Sequence, residues 1–254
     1  GFDKNTWVKG FNESILKREF WLFIREPSQW LHLCVMIFLI IIFISSISGI
    51  DIIILKAYNQ YLKTIIFLIV SLFNVFLVAS LSLRFVFPLI SLEGEAIWKI
   101  RSAPINFYQL LTLRLSIYFT MIFLIGQIIS FFSNYQFPVQ LAIAAQINAA
   151  ITTITLVSFN FGMGGIFANY KEKNAIRLAS SQGASITFLF TLLYLVIIIV
   201  ILFLPVSDYF YALEKGAERS IWRLMSSSLI LLTIGFVISV ISIRLGIKSF
   251  VRDI

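Results

Sequence analysis

The chain has 254 residues, of which 59% are hydrophobic and only 13% charged, against roughly a quarter charged in an ordinary soluble domain. A soluble globule is excluded, because even a domain of roughly 300 residues hides only about 75% of its surface; a disordered chain is excluded too, because disorder needs low hydrophobicity. The net charge of +8 is carried by residues that flank apolar runs, a pattern of membrane orientation rather than of nucleic-acid binding.

Ahead of the first apolar run, residues 11–26 predict an amphipathic helix. Leu16, Phe20 and Phe23 share one face, and Arg18 with Arg25 and Glu19 with Glu26 recur on polar faces. Asn12 or Ser14 is its expected cap and Pro27 its stop. Such a helix lies in the cytoplasmic interface, with Trp30 at headgroup level, or simply anchors the span that follows.

A membrane-crossing helix needs about 20 mostly apolar residues, and six runs qualify: 31–50, 64–83, 110–132, 141–167, 184–204 and 227–245. They are continuous rather than alternating, which argues against a barrel. The fold class expected is therefore an all-α integral membrane protein with six transmembrane helices, forming a single domain over residues 1–254. His32 and Cys34 open the first run; one His and one Cys are too few for a metal site, so His32 reads as interfacial and Cys34 as a small buried hydrophobe.

Between the second and third runs, Ser91 is a good cap, Glu93 and Glu95 suit the positive end of a helix, and Leu92, Ala96 and Ile100 form an apolar stripe before Pro104. A short amphipathic helix over 91–104 is expected, projecting into the cytoplasm. After the fourth run, Gly162, Gly164 and Gly165 permit close helix approach or local unwinding. The connection from Pro205 to Met225, with Tyr209, Phe210, Tyr211 and Trp222, predicts short interfacial or re-entrant helices outside.

Fifteen of the 20 basic residues fall on one side of this layout, among them Lys17, Arg18, Lys99, Arg101, Lys171, Arg177 and Lys248. The excess side is cytoplasmic by the positive-inside rule, which places both termini there. The span interiors are expected to lack ionisable residues, which argues against proton or sodium coupling and against a membrane enzyme. Gln146, Thr153 and Asn160 recur at helical spacing in the fourth run, as a packing seam held by hydrogen bonds or a polar patch on a transport path.

Three stretches resemble the type-2 ABC transporter permeases, in particular their bacterial ABC exporter branch: Lys17-Arg18-Glu19-Phe20 through Arg25-Glu26-Pro27; Ser91-Leu92-Glu93-Gly94 with Trp98 and Arg101 to Ile105; and Gly162-Met163-Gly164 through Asn169 to Glu172, with Asn174 and Arg177 to Ser181. The resemblance implies a permease subunit of an ATP-driven exporter in the bacterial inner membrane. It implies a substrate path between the first, second and fifth spans, and a partner ATPase carrying ATP and Mg beneath. It also implies a second permease half or a homodimer partner, with this chain, which lacks an initiator Met, as the later half of a longer arrangement. Membrane lipid surrounds it, and no nucleic acid is expected as a partner. On that reading the 91–104 segment is a coupling helix whose contact residues are Glu93, Gly94, Glu95, Ile97, Trp98, Arg101 and Pro104, with Lys17, Arg18 and Glu19 secondary. No phosphate-binding loop ending in Gly-Lys-Ser or Gly-Lys-Thr occurs, so the chain itself is expected to be non-catalytic and to hold no cofactor. The alternatives are an ion-coupled secondary transporter and a non-transport scaffold or assembly subunit.

Overall fold

The computed structural model describes residues 11–25, 27–48, 59–92, 107–172, 174–216 and 221–252. In chain order these form α1 (Phe11–Arg25), α2 (Pro27–Ser48), α3 (Gln60–Phe85), a 3-10 turn (Phe87–Leu89), α4 (Phe107–Asn134), α5 (Val139–Ile166), α6 (Ala175–Ala179), α7 (Gln182–Lys215) and α8 (Ile221–Arg252). The described residues contain only helices and their connections. Six helices, α2, α3, α4, α5, α7 and α8, are long and apolar enough to cross a membrane.

α3 and α5 form the centre. About half of each apolar window is buried inside the chain, 56% for α3 and 50% for α5, whereas only 11% of the α2 window is. α5 packs most extensively on α8, and α3 on α7, with α4 against both central helices. In lipid, apolar side chains gain nothing by leaving the solvent for the core, so such packing depends on close van der Waals fit and on small residues at the crossings. The α5–α8 crossing shows this. A Cβ on Gly162 would collide with the Ser242 carbonyl, and one on Gly165 would stand 2.8 Å from the Gly246 oxygen. The glycines therefore serve close approach, and the helix does not unwind, since α5 continues to Ile166.

Several sequence expectations change. α1 is already helical at Phe11, so neither Asn12 nor Ser14 caps it. Pro27, the expected stop of this helix, is itself helical and belongs to α2. Leu16, Phe20, Trp21 and Ile24 of α1 stay exposed on the chain, so its apolar surface is free for the membrane interface. Cys34 is exposed rather than buried, because α2 lies at the periphery of the bundle.

The largest correction concerns the connection after the fifth run. Pro205 does not end the helix: α7 runs through it to Lys215 and stops at Gly216, whose left-handed φ of 64° closes the end as its N–H donates to the Ala212 carbonyl. Proline removes one backbone hydrogen bond, but within a membrane bundle neighbouring helices and local adjustment compensate for that loss. Tyr209 and Phe210 are buried in this extension. α8 starts at Ile221, so no re-entrant helix stands between the two spans among the described residues.

Candidate functional site

The ends of α3 and α5 converge at one pole of the bundle. The buried 3-10 turn after α3 packs on the last turn of α5, where a Cβ on Gly164 would collide with the Phe87 carbonyl. Two residues beyond the turn, Ser91 is buried, and its Oγ accepts a hydrogen bond from the Asn169 N–H at 3.0 Å. This contact joins two of the three sequence blocks, which are 78 residues apart in the chain. Asn169 in turn accepts from the Lys171 N–H through Oδ1 at 3.2 Å.

The rest of the third block is a chain of local caps. Glu172 Oε1 accepts from the Asn174 N–H at 3.0 Å, and its Oε2 lies 3.8 Å from Arg177 Nη1. Asn174 Oδ1 accepts from the Ile176 N–H at 2.9 Å, capping α6. Ser181 Oγ accepts from the Ala184 N–H at 3.3 Å and caps α7. Each short polar side chain occupies a helix start, where an orphan N–H needs an acceptor. Gly183 lets the start of α7 approach Phe167, whose Cβ would lie 2.5 Å from an added methyl.

Ser91 was expected to cap a helix over 91–104, which lies outside the described residues beyond position 92; its hydroxyl oxygen serves Asn169 across the pole. Glu93, Gly94, Glu95, Ile97, Trp98, Arg101 and Pro104 lie outside the described residues, as does Glu26. Lys17 and Arg18 are exposed on α1, which also carries Glu19 and packs against α2 and α4.

The polar residues of the fourth span behave differently from one another. Gln146 Nε2 donates to the side-chain oxygen of Gln127 on α4 at 2.8 Å. Thr153 and Asn160 bond back to their own helix, at Ala149 O and Leu156 O. They therefore form one interhelical link rather than a continuous seam. A denser network lies beside it: Asn74 Nδ2 on α3 donates to Ser133 Oγ on α4 at 2.8 Å, and Asn134 Nδ2 donates to the Ser130 carbonyl at 2.8 Å.

Ionisable groups do enter the helices at their ends. The spans are longer than their apolar cores, and their outer turns carry ionisable groups. Lys63, in the first turn of α3, is buried and pairs with Glu214 of α7 at 2.8 Å. Arg114, near the start of α4, is 4% exposed. Asp208 pairs with Arg223 of α8. Tyr209 donates to Gln140 Oε1 at 2.8 Å at the same pole, opposite the one that holds Ser91. Asp208 and Glu214, followed by Lys215 and Arg223, were the available signal, hidden because that stretch was expected to hold short interfacial or re-entrant helices outside.

An ABC transporter family model, described as "Putative ATP-binding cassette", matches residues 1–253. The chain belongs to this ABC transporter family. No curated protein and no solved structure matches it. The six long apolar helices of this family member fit a membrane component of an ABC system, and its sequence holds no Gly-Lys-Ser or Gly-Lys-Thr phosphate loop.

Proposed function

We propose that this chain is the permease of an ATP-driven exporter, coupling a substrate path to a separate ATPase that holds ATP and Mg. The observation that carries this reading is the Ser91–Asn169 contact. It ties the segment leading into 91–104 to the end of the central helix α5. A push from beneath on that segment therefore reaches the core of the bundle. The basic-rich pole is the cytoplasmic one under the positive-inside rule, which puts this junction on the side where ATP is available, in a bacterial inner membrane.

The path runs along α3 and α7, completed by a second half or a second copy. Ile65, Leu68, Ile69, Leu72, Ile199 and Phe203 line a wholly apolar groove of about 280 Å³ between these helices. Such a groove suits lipids, amphipathic peptides or hydrophobic drugs, because a polar solute would lose its hydration there without replacement.

The test is co-purification from membranes followed by ATPase assay. A nucleotide-binding subunit should accompany the chain. Glu93→Ala combined with Arg101→Ala should lower substrate-stimulated ATP turnover by about fivefold or more, the usual lower range of a coupling energy, while the helices stay folded by circular dichroism. If no ATPase accompanies the chain and deleting it leaves membrane ATPase activity unchanged, the exporter reading is wrong. The pairing of buried Lys63 with the half-buried Glu214 is the observation that favours an ion-coupled carrier. Transport that continues in ATP-depleted vesicles and stops in Glu214→Gln would put that reading in place of the exporter.

A further inference from the structure

Inside the bundle, α3, α4, α5 and α7 enclose a cavity of about 20 Å³. Six neutral polar side chains stand in its wall: Ser71 and Asn74 from α3, Ser130 and Asn134 from α4, and Asn148 and Thr152 from α5. Asn74 is engaged with Ser133, and the Thr152 hydroxyl donates to the Asn148 carbonyl at 2.8 Å. Three buried atoms have no hydrogen-bond partner among the described residues: Ser130 Oγ, Asn134 Oδ1 and Asn148 Oδ1. Their residues are only 1%, 1% and 8% exposed. Polar atoms at this depth in a membrane bundle have no bulk water to turn to, and leaving them bare is costly.

Their chemistry specifies the missing partner. The two amide oxygens can only accept, and the hydroxyl can donate. One water molecule carries the groups these three need: two donors for Asn134 Oδ1 and Asn148 Oδ1 and a lone pair for the Ser130 hydroxyl. Three hydrogen bonds are typical of a buried water, and the cavity exceeds the roughly 10–15 Å³ that one requires. A sodium ion would also attract the amide oxygens. The wall, however, brings no carboxylate, and an uncompensated charge in a low-dielectric interior is strongly penalised; the Ser130 proton would then face a cation.

We infer that a single ordered water is a built-in binding partner of this core, joining α4 to α5. It is the polar tie between these spans that the Gln146, Thr153 and Asn160 stripe supplies only at Gln146.

The test is a density map of the full chain in nanodiscs at a resolution that shows waters, with thermal unfolding measured in sodium chloride and in choline chloride. A peak at hydrogen-bond distance from all three atoms, with the same melting temperature in both salts, is the expected result. Ser130→Ala, which keeps the volume and removes the donor, should lower the melting temperature by about 2–4 °C and weaken the peak. Asn148→Leu should remove the peak by filling the cavity; if that variant does not fold, Ser130→Ala and the wild-type map still decide. No peak, a peak at ionic distances with a sodium-dependent melting temperature, or an unaltered Ser130→Ala would each overturn the inference.

Discussion

At the scale of single residues, the described structure places its costliest groups near the ends of the spans. Lys63 has a side chain only 9% exposed, and its partner Glu214 is 35% exposed. Removing the acid alone leaves an ammonium without compensation; removing both charges does not. Glu214→Ala should therefore destabilise the protein by about 1–3 kcal/mol, and Lys63→Met with Glu214→Gln should recover most of that loss. Thermal unfolding of the purified single and double variants checks this, and a double variant no better than Glu214→Ala would disprove the pairing. Ser91 has a different role. Ser91→Ala deprives the Asn169 N–H of its acceptor, at about 0.5–1.5 kcal/mol. ATP turnover in the reconstituted complex should fall while the helical content stays constant. None of these partnerships was legible in the sequence. Ser91 has its partner 78 residues away and Lys63 its partner 151 away, whereas composition and helical spacing report only neighbours within a turn or two.

At the scale of elements, the sequence carried most of what matters. All six spans were visible as apolar runs, since hydrocarbon thickness sets a minimum length that soluble helices seldom meet. The amphipathic α1 was visible too, although Pro27, expected to stop it, is itself helical. The ends were not, because polar and charged residues that pair with a neighbouring helix look, in one dimension, like loop. Residues 205–215 are the clearest case, in which a proline and two acids disguised the last turns of α7. The glycines of α5 were recognised as contact points, but not their partners. Gly164→Ala should cost about 1–3 kcal/mol, as in overpacked cores, because the added methyl meets the fixed Phe87 backbone. Gly216→Ala should cost only roughly 1 kcal/mol, for the left-handed conformation alone, since nothing lies within 4 Å of the position. Chemical denaturation of the two variants in the same detergent should rank them in that order.

At the scale of the whole molecule, the charge distribution makes a prediction about sidedness. With Cys34 replaced by Ser, a cysteine at Tyr135 in the α4–α5 connection should react with a membrane-impermeant maleimide on intact cells. A cysteine at Ser180, between α6 and α7, should react only after permeabilisation. Both positions are exposed, so accessibility alone does not separate them, and the reverse pattern would invert the topology. The candidate site is less legible than the fold at this scale too. The three sequence blocks were recognisable one by one, but the meeting of the second and third depends on α3 and α5 ending at the same pole, which only the packed bundle reveals.

The central helix α5 reaches from Val139 to Ile166 without a break, and within one turn, at Gly162, Gly164 and Gly165, it touches both the 3-10 turn after α3 and the close crossing with α8. A rod of 28 residues is about 42 Å long. Its contacts near Asn169 are carbonyl against glycine, with no side chain between; on the proposed coupling, a push there would be passed on as rotation of the rod. A tilt of about 5° about one end would carry the other end through about 4 Å of arc. α5 is built as a stiff crank, with the gearing at the Ser91 pole and the travel at the Pro138 pole.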